Sequence, residues 1–130
     1  MANGTVGLSV TNVQLDYAVT LTCWDMKRGS ASFRLEEAFD LVEATGRVTR
    51  IDPEHIGSGA ILVAALHTAT VEGVDVDSEG ALRLTFADGR SIRAEPDPAF
   101  ESWSYVDGHN GRVICMPGGG LAVWSPEVTT

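Results

Sequence analysis

The chain has 130 residues, 44% hydrophobic and 21% charged, the balance of one soluble domain with enough apolar side chains for a core. Its longest apolar run, Ala60–Leu66, is far short of the ~20 residues that span a bilayer, and Met1-Ala2-Asn3-Gly4-Thr5 lacks the basic and apolar regions of a secretory signal. Eighteen acidic against nine basic residues leave a formal charge of −9, which argues against recognition of DNA or RNA through phosphates and against an anionic membrane surface. The expectation is a cytoplasmic, single-domain protein over residues 1–130.

In chain order, Val13-Gln14-Leu15-Asp16 alternates apolar and polar as a half-buried strand does, and Ala18–Cys23 continues with period two. A turn through Lys27-Arg28-Gly29-Ser30 leads to a third strand, Ser32–Glu36. Leu35–Val42 has the composition for two helical turns. Gly46-Arg47-Val48 opens a further strand that reaches Pro53. After Gly57-Ser58-Gly59, the run Ala60–Leu66 suits either a short buried helix or a buried strand, because so short a run carries no decisive period.

The second half repeats this order. Val74-Asp75-Val76-Asp77 matches Val13–Asp16, and Ala81-Leu82-Arg83-Leu84-Thr85-Phe86 matches Ala18–Cys23. Asp88-Gly89 is a hairpin signal, since both positions accept positive φ. Ser91–Glu95 matches Ser32–Glu36, and each is followed by a phenylalanine, Phe39 or Phe100. Pro96 and Pro98 oppose a regular helix there. Gly111-Arg112-Val113 then runs to Pro117 as Gly46-Arg47-Val48 runs to Pro53. The pattern predicts a duplication, with units at about 6–65 and 66–124 and a tail at 125–130. The predicted fold is mainly β, or α+β with little helix: two meander repeats related by a pseudo-twofold and packed as one sandwich or partly open barrel.

Cys23 and Cys115 lack a CxxC spacing and sit in apolar strands, so they read as buried free thiols, with a disulfide as the alternative if their strands are neighbours. His55, His67 and His109 form no ligand pair, and no metal or cofactor is expected. Asp75-Val76-Asp77-Ser78-Glu79-Gly80 resembles the opening of a calcium loop, but Phe86 stands where the bidentate glutamate belongs, so it reads as an acidic turn. Gly118, Gly119 and Gly120 are followed by a strand and by no Lys-Ser/Thr, so they read as a tight turn where backbones approach closely. Glu101 and Trp103 share a face if that segment is extended. Glu101 could then act as an acid or base beside the indole, or accept hydrogen bonds from the glycine loop. Of Trp24, Trp103 and Trp124, at least two are expected in the core, with Trp103 partly exposed because its neighbours are polar.

Three strings together, Phe86-Ala87-Asp88-Gly89-Arg90, Pro96-Asp97-Pro98-Ala99-Phe100-Glu101-Ser102-Trp103 and Pro117-Gly118-Gly119-Gly120-Leu121-Ala122-Val123-Trp124, resemble a family of small, mainly actinobacterial proteins, a domain of unknown function. The resemblance covers Val71–Trp124; the first half is similar only loosely. It implies no catalytic residue. By a weaker likeness, small acidic domains of this kind also occur among the immunity proteins of bacterial toxin systems.

Two functional readings follow. The first is a non-enzymatic acidic binding protein, immunity-like or regulatory, that inhibits a basic protein partner. Glu72, Asp75, Asp77 and Glu79 would steer that partner and Trp103 would anchor it. The second is small-ligand binding or catalysis in the crevice between the repeats, at Glu101 with Gly118, Gly119 and Gly120. The oligomeric state is open between a monomer and a small homo-oligomer whose sheet edges pair.

Overall fold

The structure, a computed structural model, describes residues 3–109 and 111–124; the predicted tail at 125–130 lies outside the described residues. Eleven strands run β1 (Ser9–Leu15), β2 (Val19–Asp25), β3 (Gly29–Leu35), β4 (Phe39–Val42), β5 (Val48–Ile51), β6 (Val71–Val76), β7 (Leu82–Phe86), β8 (Ser91–Ala94), β9 (Trp103–Asp107), β10 (Arg112–Cys115) and β11 (Leu121–Trp124). One short helix, α1 (Gly59–Ala64), lies between β5 and β6. The strands form two antiparallel sheets, β1-β2-β3-β9-β10-β11 and β5-β4-β8-β7-β6, not closed into a barrel. Of the described residues 48% are in strands and 12% in helices, the mainly β class that the alternation predicts.

The two repeats exchange parts. The meander β1-β2-β3 of the first unit takes the hairpin β9-β10 of the second into its sheet, and the meander β6-β7-β8 takes β4-β5 of the first. The register shows the pseudo-twofold residue by residue. Val13 pairs Leu21 as Val74 pairs Leu84, and Phe33 pairs Tyr105 as Ile92 pairs Leu41. Both first strands carry a bulge at matching places, after Val10 and after Val71. Each first turn is held by its aspartate: Asp16 Oδ1 accepts from the Ala18 N–H at 2.8 Å, and Asp77 Oδ1 from the Ala81 N–H at 3.0 Å. Pro53 and Pro117 each open a 3-10 turn.

Two correspondences differ from the sequence reading. Phe39 at the start of β4 matches Trp103 at the start of β9, not Phe100, since Phe39–Val42 and Trp103–Asp107 hold the same places in their sheets. Leu35–Val42 is not helical. Leu35 ends β3, and Phe39-Asp40-Leu41-Val42 is a strand whose residues alternate buried and half-buried. Helical propensity in Glu36-Glu37-Ala38 yields here to the pairing that β4 makes with both β5 and β8.

The inner faces of both sheets merge in one core that includes Phe33, Leu35, Phe39, Leu84, Ile92 and Trp103. The sheets meet along one side, where backbone bonds join Gly7–Val10 to Ala69–Val71 and Ser9 bridges Thr70. α1 buries Val63 and packs Gly59 on Ile51, where a Cβ would strike the isoleucine methyl. Trp103 is 1% exposed, whereas Trp24 and Trp124 are exposed. The expectation of a partly exposed Trp103 and a core of two tryptophans is thus reversed. Ser102 and Ser104 flank Trp103 in sequence, but in a strand Ser104 faces away from it, so polar neighbours do not report its environment. Cys23 and Cys115 are buried and free, with burial pushing the Cys23 thiol up to about 11.

Candidate functional site

The motifs that carried the resemblance are built into the frame. Gly80 (φ +96°) and Gly119 (φ +102°) place their backbones in direct contact; a Cβ on either would overlap the other turn's carbonyl region. The Gly80 carbonyl accepts from Trp103 Nε1 at 2.9 Å and faces Cys115 Sγ at 3.5 Å. Gly118 N–H donates to the Asp97 carbonyl at 2.8 Å, and Asp97 Oδ1 accepts from Ala99 and Phe100 N–H at 2.8 and 3.0 Å. Ser102 Oγ donates to the Glu95 carbonyl at 2.6 Å. Gly118 and Gly119 therefore turn a chain and seat it against another backbone. Glu101 is exposed, precedes β9 and shares no strand face with Trp103.

This frame holds a ledge, Ala99-Phe100-Glu101, over an open depression of about 540 Å³. Its walls come from both repeats: Tyr17 and Ala18 from the β1–β2 turn, Arg34, Glu36 and Glu37 from the end of β3, Glu54 from the 3-10 turn that Pro53 opens, and Met116 and Pro117 beyond β10. Four carboxylates thus face one guanidinium. Arg34 is already engaged, its Nε donating to Glu36 at 3.0 Å and its Nη1 lying 3.9 Å from Asp16. Partial burial, then repulsion from Asp97, Glu54, Asp52 and Glu36, raises the Glu37 carboxyl above its ordinary 4.5. Tyr17 is 81% and Phe100 63% exposed beside this charge.

Glu101 thus lines a crevice between the repeats, but Gly118, Gly119 and Gly120 do not line it. Glu72, Asp75, Asp77 and Glu79 are all exposed on β6 and the turn after it, but they are interleaved with arginines. Across that sheet a row reads Asp75, Arg83, Arg93, Asp40, Arg50. Asp77 is occupied by backbone N–H groups of Glu79 and Ala81 and lies 3.5 Å from Arg93. Trp103 is buried, its indole held by the Gly80 carbonyl of the turn that carries Glu79, and so presents no exposed ring to a partner. Among the described residues, no three His, Cys, Asp or Glu side chains converge as metal ligands. Glu36, Glu37, Glu54, Tyr17 and Phe100 were not legible as a site, because they come from four connections that only the crossed packing of the sheets brings together.

Among the described residues, no helix is long and apolar enough to cross a membrane. Comparison with curated proteins and with solved structures yields no match. A family model, the family of unknown function DUF6188, matches residues 1–125. That match spans both halves of the chain. The chain, with its exchanged hairpins and its Gly80–Gly119 contact, belongs to this family of unknown function.

Proposed function

We propose that this protein is a non-enzymatic binding protein, an immunity-like or regulatory inhibitor that takes a basic protein partner in the depression between its repeats. The observation that carries the reading is the convergence of Glu36, Glu37, Glu54 and Glu101 on one concave surface whose only cation among the described residues, Arg34, is already paired with Glu36. A lysine or arginine side chain entering there gains several carboxylates at once, and Tyr17 and Phe100 offer ring faces to it. Long-range attraction by the −9 chain speeds the encounter. The strip Glu72, Asp75 and Glu79 is the competing docking place, weakened by Arg83 and Arg93 beside it.

The test is a pull-down at low salt with a salt-gradient elution, followed by affinity measurements with two triple variants. Glu37→Gln/Glu54→Gln/Glu101→Gln is expected to weaken binding by about tenfold or more, while Glu72→Gln/Asp75→Asn/Glu79→Gln leaves it within about threefold. The reverse order moves the docking surface to β6. Asp77 is left intact because it holds its turn. A small cationic ligand is the second reading, favoured by the depression's concavity; calorimetric titration with a polyamine, in the absence of any protein partner, separates it from the first.

A further inference from the structure

The last strand has no counterpart among the strands of the first repeat. Under the pseudo-twofold β10 matches β5, the edge of its own sheet, and β11 extends the larger sheet past that limit. Leu121, Val123 and Trp124 are consequently exposed, the last two at 55% and 51%. The strand Leu121-Ala122-Val123-Trp124 has no charge, no proline and no bulge, the devices that ordinarily blunt a sheet edge. It is an uncharged stretch on a chain of net charge −9.

The phase of the ladder determines what this edge offers. Met116 N–H donates to the Gly120 carbonyl at 2.7 Å. Alternate pairs from there, Ile114 with Ala122 and Arg112 with Trp124, therefore exchange hydrogen bonds across β10 and β11. Leu121 and Val123 turn their N–H and C=O groups outward, away from β10. Among the described residues nothing covers them.

Gly120 supplies a second and independent observation. Its backbone, φ −65° and ψ 147°, suits any residue, and a Cβ there would meet nothing within 4 Å. Neither conformation nor packing among the described residues requires glycine at this position, in contrast to Gly119.

We propose that β11 pairs antiparallel with β11 of a second copy about a local twofold through Ala122. Leu121 of one copy then faces Val123 of the other, and their outward groups form four interchain hydrogen bonds. The same register sets Trp124 opposite the partner's Gly120, so the indole lies over a residue with no side chain. The arrangement is self-complementary, as a twofold interface must be. It joins the two larger sheets into one of twelve strands and gathers both copies of Leu121 and Val123 on the inner overhang. Arg112, whose guanidinium lies 5.7 Å above the Trp124 ring, extends the stack on the outer face.

An interface of this size belongs to the weak class, so sedimentation equilibrium of the full chain should span about 10 µM to about 1 mM. The expected result is a reversible rise from 13.8 kDa toward twice that mass. Gly120→Val and Leu121→Lys should both hold the chain at monomer mass with an unchanged melting midpoint. In hydrogen exchange, the Leu121 and Val123 amides of the unmodified chain should slow with concentration, while those of Ala122 and Trp124 do not change. A monomer throughout the range overturns the proposal. So does a dimer that persists in both variants, which would place the contact elsewhere. If either variant lowers the melting midpoint, the exchange pattern of the unmodified chain decides: concentration-dependent slowing at Leu121 and Val123 sustains the pairing, and its absence overturns it.

Discussion

The consecutive glycines 119 and 120 show how position, not residue type, sets consequence. Gly119→Ala must adopt φ +102° and press a methyl into the Glu79 backbone, so a loss of more than about 1 kcal/mol is expected in urea denaturation. Gly120→Ala meets neither obstacle and should be near neutral. Among the carboxylates, Asp25, Asp77 and Asp88 are all held below their ordinary 3.8, first by the Arg28 N–H, the Ala81 N–H and the Arg90 side chain respectively. A carboxyl whose folded pKa is depressed adds stability above its unfolded pKa and loses it as pH falls through the folded value. Glu37, raised, acts in the opposite sense and favours the fold when protonated. Because three depressed groups oppose one raised group, the melting midpoint should fall as pH drops from about 4 toward 2. A midpoint that rises over that window would contradict the assignment of these turns.

At the scale of elements, the meander strands were legible and their matching was correct, because period-two burial writes itself directly into Val74–Asp77 and Leu82–Phe86. The hairpins were half legible. Phe39-Asp40-Leu41-Val42 carries the same alternation, but four residues beside Glu36-Glu37-Ala38 read equally as a helical face. β4 is paired on both sides, by β5 and β8, and Leu41 is 1% exposed. Leu41→Ala should therefore cost about 2–5 kcal/mol by chemical denaturation. A cost under about 1 kcal/mol would fit a surface helix better than a central strand. The candidate depression was the least legible feature. Glu101 was singled out, but Glu37 and Glu54 carry no spacing signal, since their meeting depends on how the β3–β4 connection lies against the 3-10 turn after β5.

For the whole molecule, the exchange of hairpins makes each repeat incomplete. Every sheet contains strands from both halves, and the core joins them without a division. Separately produced fragments 1–65 and 66–130 should each lack a cooperative unfolding transition. Mixed in equal amounts they should recover the β spectrum and a single transition. A fragment that melts cooperatively alone would show that one repeat suffices as a folding unit. The same exchange positions the depression, because its walls belong to both repeats. Binding by the intact protein and by the mixed fragments should therefore agree.

By itself the sequence determined the class, the meander strands and the structural character of the Gly118–Gly119 turn, because alternation and positive-φ glycines are local constraints with local signatures. Only the tertiary structure decided that the hairpins trade sheets, that Trp103 is interior, that the acids of β6 lie among arginines, and that Glu36, Glu37, Glu54 and Glu101 share one surface. Those facts depend on which sheet a strand joins and how the sheets cross, and such non-local pairing leaves no period in the chain to read.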